Sequence, residues 1–273
     1  MLTQSDKAQA FCALHQRDRA FLIPNPWDVG TARILTQLGF EALATTSMGL
    51  AFALGRLDNT VGREHVMEHI AALSAATDLP ISADLENGFS DDPSQVAETI
   101  RLAAAAGAVG GSIEDATGRA EDPIYPRELA AERIRAAVEA ARALPFPFTL
   151  TARAENYLHG RPDLADTIAR LQMYQDAGAD VLYAPCLATQ EDIATVIRSV
   201  NRPVNVVMGL RGVQLGLAEL TALGVKRVSV GSTLARTALG AFVRAAREMS
   251  ASGTFEFSKD AATPAEISSL LRS

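Results

Sequence analysis

The sequence predicts an α/β fold of the (β/α)8 TIM barrel class. Three observations carry this: eight short apolar and β-branched runs alternate with helix-patterned segments, glycine recurs where a helix gives way to a strand, and no Gly/Ser/Pro-rich linker separates the units. With 273 residues, 48% of them hydrophobic, the chain could build one α/β barrel or two smaller domains. The missing linker favours one closed barrel over a doubly wound open sheet. The expectation is a single domain over 1–273, with a C-terminal helical extension after the last strand.

The strand runs follow in order. AFLIP (20–24) opens the barrel, and EALATT (41–46) starts directly after a helix that ends in QLGFEAL. LPISAD (79–84) is entered through a proline. AVGGSIED (108–115) follows AAGAVGG at the end of DPSQVAETIRLAAAAGA, whose apolar residues recur at helical spacing. FPFTLTARAE (146–155) follows the Ala-rich helix RELAAERIRAAVEAARAL, and ADVLYAP (179–185) follows a third glycine exit, DAGADVL. RPVNVVM (202–208) and KRVSVG (226–231) complete the eight. In such a barrel the chemistry belongs at the C-terminal ends of the strands.

Charge and cysteine content narrow the partners. The net charge of -7 comes from scattered acids, and no Lys/Arg run is long enough to track a phosphate backbone, so no nucleic acid partner is expected. No apolar run is long enough for a membrane span. Cys12 and Cys186 lack paired spacing and read as free thiols in a reducing compartment, which points to a soluble cytoplasmic protein.

Acids gather where the strands run out. In ADLENGF, Asp84 and Glu86 lie two apart, so strand alternation turns both toward the mouth and Leu85 away. The next strand ends with Glu114 and Asp115, and the one after with Arg153, Glu155 and Asn156. Three neighbouring strands ending in acids and an arginine suit Mg²⁺ held through waters, with an anionic substrate completing its shell. After the second strand, Thr46, Ser47, Met48 and Gly49 form a turn whose N–H groups and hydroxyls could receive a carboxylate or oxo group. Such a turn is also ordinary loop chemistry.

Together these pieces resemble the isocitrate lyase and phosphoenolpyruvate mutase superfamily. The matching features are SMG (Ser47 to Gly49), LGRLD ending in Asp58, ADLENGF, IED (Ile113 to Asp115) and TARAE around Arg153, in the family's order over roughly Phe21 to Gly231. The resemblance implies a (β/α)8 barrel, often with its last helix exchanged between subunits, and Mg²⁺, with Mn²⁺ as a substitute. It also implies small 2-oxo acid or dicarboxylate substrates and a homo-oligomer, dimer or tetramer. By match to the motif, Ser47 and Gly49 would hold the substrate's carboxylate and oxo oxygen. Asp84 would be the most direct metal ligand, Asp58, Glu86 and Glu114 would bind metal waters, and Arg153 would grip a carboxylate. Ser47 and Arg153 are the expected catalytic residues, and Met48 and Asn156 complete the expected substrate contacts.

Departures from the family pattern sort its activities. The isocitrate and methylisocitrate lyases carry a Lys-Lys-Cys-Gly-His gate after the fourth strand, whereas DATGRAEDPIYPRELA here has no Cys, Lys or His. Cys12 precedes the barrel and Cys186 ends the sixth strand, so neither replaces that thiol. Phosphonopyruvate-processing members use a gate Asn, and none lies between Asp115 and Ala130. YAPCL lacks the Glu of the tricarboxylate-cleaving lyases, and Met208 stands where a polar residue is usual. Glu86 replaces the commoner Asp. These features point to a Mg²⁺-dependent lyase acting on the C–C bond next to a 2-oxo carboxylate, with oxaloacetate-like decarboxylation as the best single reaction. The alternatives are a phosphonopyruvate C–P hydrolase or mutase, and a 2-oxo acid binding barrel with little turnover.

Other residues have plainer readings. His65 and His69 have zinc-pair spacing but fall on an outer helix and read as surface residues. His159 and Tyr157 could approach the mouth as acid or base, Trp27 reads as packing, and GSTLARTALG from Gly231 is a helix start of the kind that receives phosphate in other barrels.

Overall fold

The protein is described here from a computed structural model covering residues 2–210 and 212–272. Its eight strands are β1 (Phe21–Ile23), β2 (Leu43–Ala44), β3 (Ile81–Asp84), β4 (Gly110–Glu114), β5 (Thr149–Arg153), β6 (Val181–Tyr183), β7 (Val204–Val207) and β8 (Arg227–Ser229). All pairs are parallel, in the order β1-β8-β7-β6-β5-β4-β3-β2. The Ala44 amide donates to the Pro24 carbonyl just past β1 (3.0 Å), which brings the two ends of the sheet together. The eight expected runs are all strands, each trimmed to the residues that the neighbouring ladders pair.

Helices fill the crossovers: α1 (Gln4–His15), α2 (Val29–Gln37), α3 (Ser47–Ala53), α4 (Arg63–Ala76), α5 (Pro93–Ala105), α6 (Arg127–Arg142), α7 (Leu164–Asp176), α8 (Gln190–Ser199) and α9 (Leu217–Leu223). Side chains define their starts. Asp92 accepts from the Ser94 amide (2.8 Å) with Pro93 in the first turn of α5, and Asp163 accepts from the Asp166 amide (2.9 Å) at α7. Gly107 and Gly178 follow α5 and α7 at φ 103°, the left-handed conformation that the glycine punctuation anticipates. The alanine-rich faces of α5 and α6 let these helices pack closely, burying Ile100, Ala103, Ile134 and Ala137 against the sheet.

The N-terminal end of the barrel is closed by α1. Gln4 Nε2 donates to the carbonyls of Ala104 (2.7 Å) in the last turn of α5 and Ala108 (3.0 Å) just ahead of β4, and Lys7 Nζ to that of Thr77 (2.7 Å) between α4 and β3. Phe11, His15 and Phe21 meet edge to face with ring centroids 4.8 to 6.3 Å apart. The opposite, C-terminal end is left for the chemistry.

After β8 the chain continues into α10 (Thr233–Ser252), a 3₁₀ turn (Glu256–Asp260) and α11 (Pro264–Leu271), which packs against α2 of its own chain. Only Ala235 of α10 is buried, and Phe242 is 68% exposed beside Leu239 and Val243. His65 is exposed as expected, but His69 is not a plain surface residue. It is half-buried on α4 with its Nε2 lacking a partner, and burial lowers its pKa to about 4. No helix among the described residues is long and apolar enough to cross a membrane.

Candidate active site

A cavity of about 240 Å³ opens at the C-terminal end of the strands. Ser47, Met48, Asp58, Asp84 and Arg153 all line it, so five residues from four separate stretches of sequence converge on one space. The parallel register of β4 and β5 sets Glu114 beside Arg153, which carries a second group of acids to the same rim.

Asp84 is held at the cavity wall by three contacts. Its Oδ2 accepts from the Ser47 amide (2.9 Å) and hydroxyl (2.8 Å), and its Oδ1 faces Arg153 Nη1 at 3.4 Å. Ser47 is free to do this because it opens α3, where backbone amides lack helical partners. Its neighbour Gly49 is not: that amide donates to the capping Thr46 hydroxyl (3.2 Å). Gly49 is absent from the cavity wall and is there for space, since a Cβ would stand 2.5 Å from Thr46 Cγ2 and 3.0 Å from Trp27 Cβ. Gly49→Ala should therefore cost about 1 to 3 kcal/mol by overpacking, measured by urea unfolding, and disturb Ser47 with it. An unchanged midpoint would mean that α3 shifts freely.

Arg153 gathers three carboxylates. Its Nη1 lies 3.0 Å from Glu114 and 3.4 Å from Asp84, and its Nε donates to Glu155. Burial alone would lower its pKa, but Glu114 and Glu155 outweigh burial and hold the guanidinium charged. The acids are pushed the other way. Burial first, then Asp84 and Asp58, raise Glu86 to about 7. Burial raises Glu114 well above the usual range despite Arg153, with Glu155, Asp84 and Glu86 adding to the rise, and Glu155 shifts up for the same first reason. Burial and Asp84 raise Asp58. Arg153 thus touches three of five clustered carboxyl groups, and among the described residues Glu86 and Asp58 have no arginine partner.

Glu86 does not reach the rim by strand alternation. The strand ends at Asp84, and Glu86 turns into the left-handed region at φ 50° while Leu85 is fully buried. Its carboxylate is only 8% exposed, Oε1 has no partner, and with Glu114 and His159 it lines an adjoining cleft rather than the main cavity. This excess of acids with an orphaned buried oxygen fits a hard cation. Among the described residues no three His, Cys, Asp or Glu side chains converge as a direct ligand cage. A cation that keeps several waters, as Mg²⁺ does, matches that spacing.

Asn156 is a correction. Its carboxamide donates to Thr167 Oγ1 (2.7 Å) and the Asp163 carbonyl (3.1 Å) and accepts from Thr167 (2.9 Å), so it braces the start of α7 and does not line the cavity. Asp115 is likewise consumed inside the fold by Arg170 (3.0 Å), Tyr174 (2.6 Å) and the Glu155 amide (2.7 Å). The segment over 115–126 is a small hairpin with an Ala116–Ile124 bridge. It is pinned by Arg119 to Asp91 at 2.8 and 3.0 Å. Sequence reading missed Tyr183, Asn205, Arg227 and Ser229, which also line the cavity. Their positions at strand ends (Tyr183, Ser229) or two residues before them (Asn205, Arg227) were the available signal.

The phosphoenolpyruvate phosphomutase family profile matches residues 11–250. The chain is 35% identical over 242 residues to the uncharacterised protein Rv1998c of Mycobacterium tuberculosis, covering 88% of this chain and 89% of that one. It is 31% identical over 183 residues to the 2-methylisocitrate lyase of Salmonella typhimurium, covering 64% and 61%. A crystal structure of a candidate lyase/mutase from Burkholderia cenocepacia J2315 superimposes with TM-score 0.96 at 65% identity, covering 99% of this chain and 97% of that one. The chain belongs to the phosphoenolpyruvate phosphomutase family and is an enzyme of the isocitrate lyase and phosphoenolpyruvate mutase type.

Proposed function

We propose that the protein is a Mg²⁺-dependent lyase that breaks the C–C bond next to the 2-oxo carboxylate of a small oxaloacetate-like acid, with decarboxylation as the simplest such reaction. The observation that carries this is the cluster of five carboxyl groups at the rim, three of them on Arg153 and Glu86 with an unpartnered oxygen, which a divalent cation would neutralise, while Arg153, Arg227 and Arg236 line the cavity where an anionic substrate would sit. Mn²⁺ should substitute. The oxaloacetate decarboxylase of Rhodopseudomonas palustris, 26% identical over 210 residues, supports the choice of acid.

Asp84 would hold the cation directly, and Asp58, Glu86 and Glu114 would hold its waters. The bound cation supplies electron withdrawal from the carboxylate and 2-oxo group. The chain's own residues would orient the acid: Met48 through the cavity wall, Arg153 through its guanidinium, and Ser47 through its amide and hydroxyl once Asp84, to which both now donate, turns to the cation. The hairpin over 115–126 carries no thiol or imidazole, so the product carbanion takes its proton from water or from a rim group such as His159 in the adjoining cleft. Incubating a panel of 2-oxo acids and phosphonopyruvate with Mg²⁺ tests the reading. Carbon dioxide or a cleaved carbon fragment supports it, phosphate release would indicate C–P chemistry, and unchanged ligand would indicate a binding barrel.

The raised acids make a pH prediction. Glu86 has a folded pKa of about 7 against 4.5, so its contribution to stability is fully present below pH 4.5 and is lost as pH rises through 7, an effect of about 3 kcal/mol. Mg²⁺ favours the ionised carboxylates, so its stabilisation should be larger at pH 8 than at pH 5.5 in thermal unfolding. Equal shifts at the two pH values would count against the acid cluster as the metal site. The exposed apolar face of α10 also supports assembly of the chain into a dimer or tetramer, measurable by sedimentation.

A further inference from the structure

Bulky branched side chains usually fill the inside of a (β/α)8 barrel. Here Ser82, Ser112, Asn205 and Ser229 line the cavity below the rim, and Arg227 lines it two residues earlier than Ser229 on β8, about 7 Å deeper. Arg227 is 4% exposed. Its Nε donates to Asn205 Oδ1 (2.8 Å), Asn205 Nδ2 donates to Ser229 Oγ (3.1 Å), and its Nη1 is buried with no partner among the described residues.

The other buried arginines are better satisfied: among the described residues Arg133 also lacks an ion pair and a partner for its Nε, but both of its terminal nitrogens are hydrogen-bonded. Arg170 pairs with Asp115 and Asp166, and Arg133 donates to the carbonyls of Asn87, Ser90 and Glu114 over the face of Tyr125. No ion pair reaches Arg227 among the described residues. Its titratable neighbours carry no negative charge at neutral pH. Burial holds the Tyr183 hydroxyl protonated, and burial together with Arg227 itself keeps His15 neutral at about 3. Arg227 is lowered by burial only to about 10, so it remains a cation. A buried cation without a counterion is costly, whereas an anion arriving with the ligand would complete it.

We infer that Arg227, oriented by Asn205 and Ser229, is a specificity-determining residue that receives a second anionic group of the substrate, so that the site selects 2-oxo dicarboxylates over 2-oxo monoacids. The inference rests on the functional reading above and deepens it.

The test uses the full-length protein with Mg²⁺ and a matched pair of ligands, 2-oxoglutarate and 2-oxovalerate, which differ by a terminal carboxylate in place of a methyl group. Oxalate, titrated by calorimetry, is the reference. Wild type should prefer 2-oxoglutarate by roughly 10- to 100-fold, the range of a hydrogen bond to a charged group, and Arg227→Met should erase that preference while leaving oxalate affinity unchanged. The melting temperature of Arg227→Met should hold or rise, because an apolar side chain replaces an uncompensated buried charge. Asn205→Leu, which leaves the charge but removes its orienting partner, should reduce the preference in part. A preference that survives Arg227→Met, no preference in wild type, or a fall in melting temperature together with weakened oxalate would overturn the inference. If wild type binds no oxalate at all, the functional reading falls first and this inference with it.

Discussion

Asp84→Ala is expected to abolish Mg²⁺-dependent turnover, a loss of roughly 10³-fold or more, while the barrel stays folded. Asp84 faces the cavity and meets Ser47 and Arg153 there rather than holding the core together. Removing it costs three interactions but also relieves Asp58, Glu86 and Glu114, each of which its charge pushes upward. Those opposing effects leave stability near wild type. The pKa of Glu86 should fall toward the ordinary carboxylate range without reaching it, since burial is the larger cause. Calorimetry with Mg²⁺ and a carboxyl-resolved NMR titration check both parts. Wild-type Mg²⁺ affinity in the variant would remove Asp84 from the metal site.

Arg153→Met should be the most destabilising single change at the site. The guanidinium is the cation within reach of Glu114 and Glu155, whose side chains are 10% and 1% exposed. Breaking such a buried pair usually costs about 3 to 5 kcal/mol because the remaining charge is uncompensated. The acids can escape by binding protons, and their pKa values are already raised by burial. A carboxyl group with a raised folded pKa favours the fold at low pH and loses that contribution as pH rises, so the penalty should be smaller at pH 5.5 than at pH 8. Urea unfolding at the two pH values measures it. Arg153→Lys keeps the charge and loses the planar fork. It should keep more of the stability yet weaken oxalate binding by roughly 1 to 3 kcal/mol. Wild-type stability for Arg153→Met at pH 8 would mean that Glu114 and Glu155 are neutral in the native protein.

The order of elements was legible because it is local. Gly107 and Gly178 mark helix exits by backbone conformation alone, Asp92 and Asp163 mark helix starts, and β-branched runs fall between. Ser47, Asp84 and Arg153 were legible as a group for a related reason, while Asp58, in the loop after α3, was legible only through the family resemblance. Strand ends of a parallel barrel all open on one rim, so residues at those ends meet whatever the side-chain detail. The tertiary structure decided what local rules do not reach. Strand alternation placed Glu86 beside Asp84, but the strand ends at Asp84, and Glu86, whose carbonyl still accepts from the Glu114 amide (3.0 Å), turns left-handed and lines a separate cleft. Gly49 and Asn156 look like substrate contacts in sequence, and their hydrogen bonds go instead to Thr46 and to Thr167 and Asp163. Arg227 lies before its strand's end, where sequence reading expects packed core, and only the small side chains on other strands leave the space that exposes it to the cavity. Backbone conformation and residue order are properties of neighbours in the chain. The depth of a cavity and the counterion of a buried charge depend on residues far apart in it, which meet only when the barrel closes.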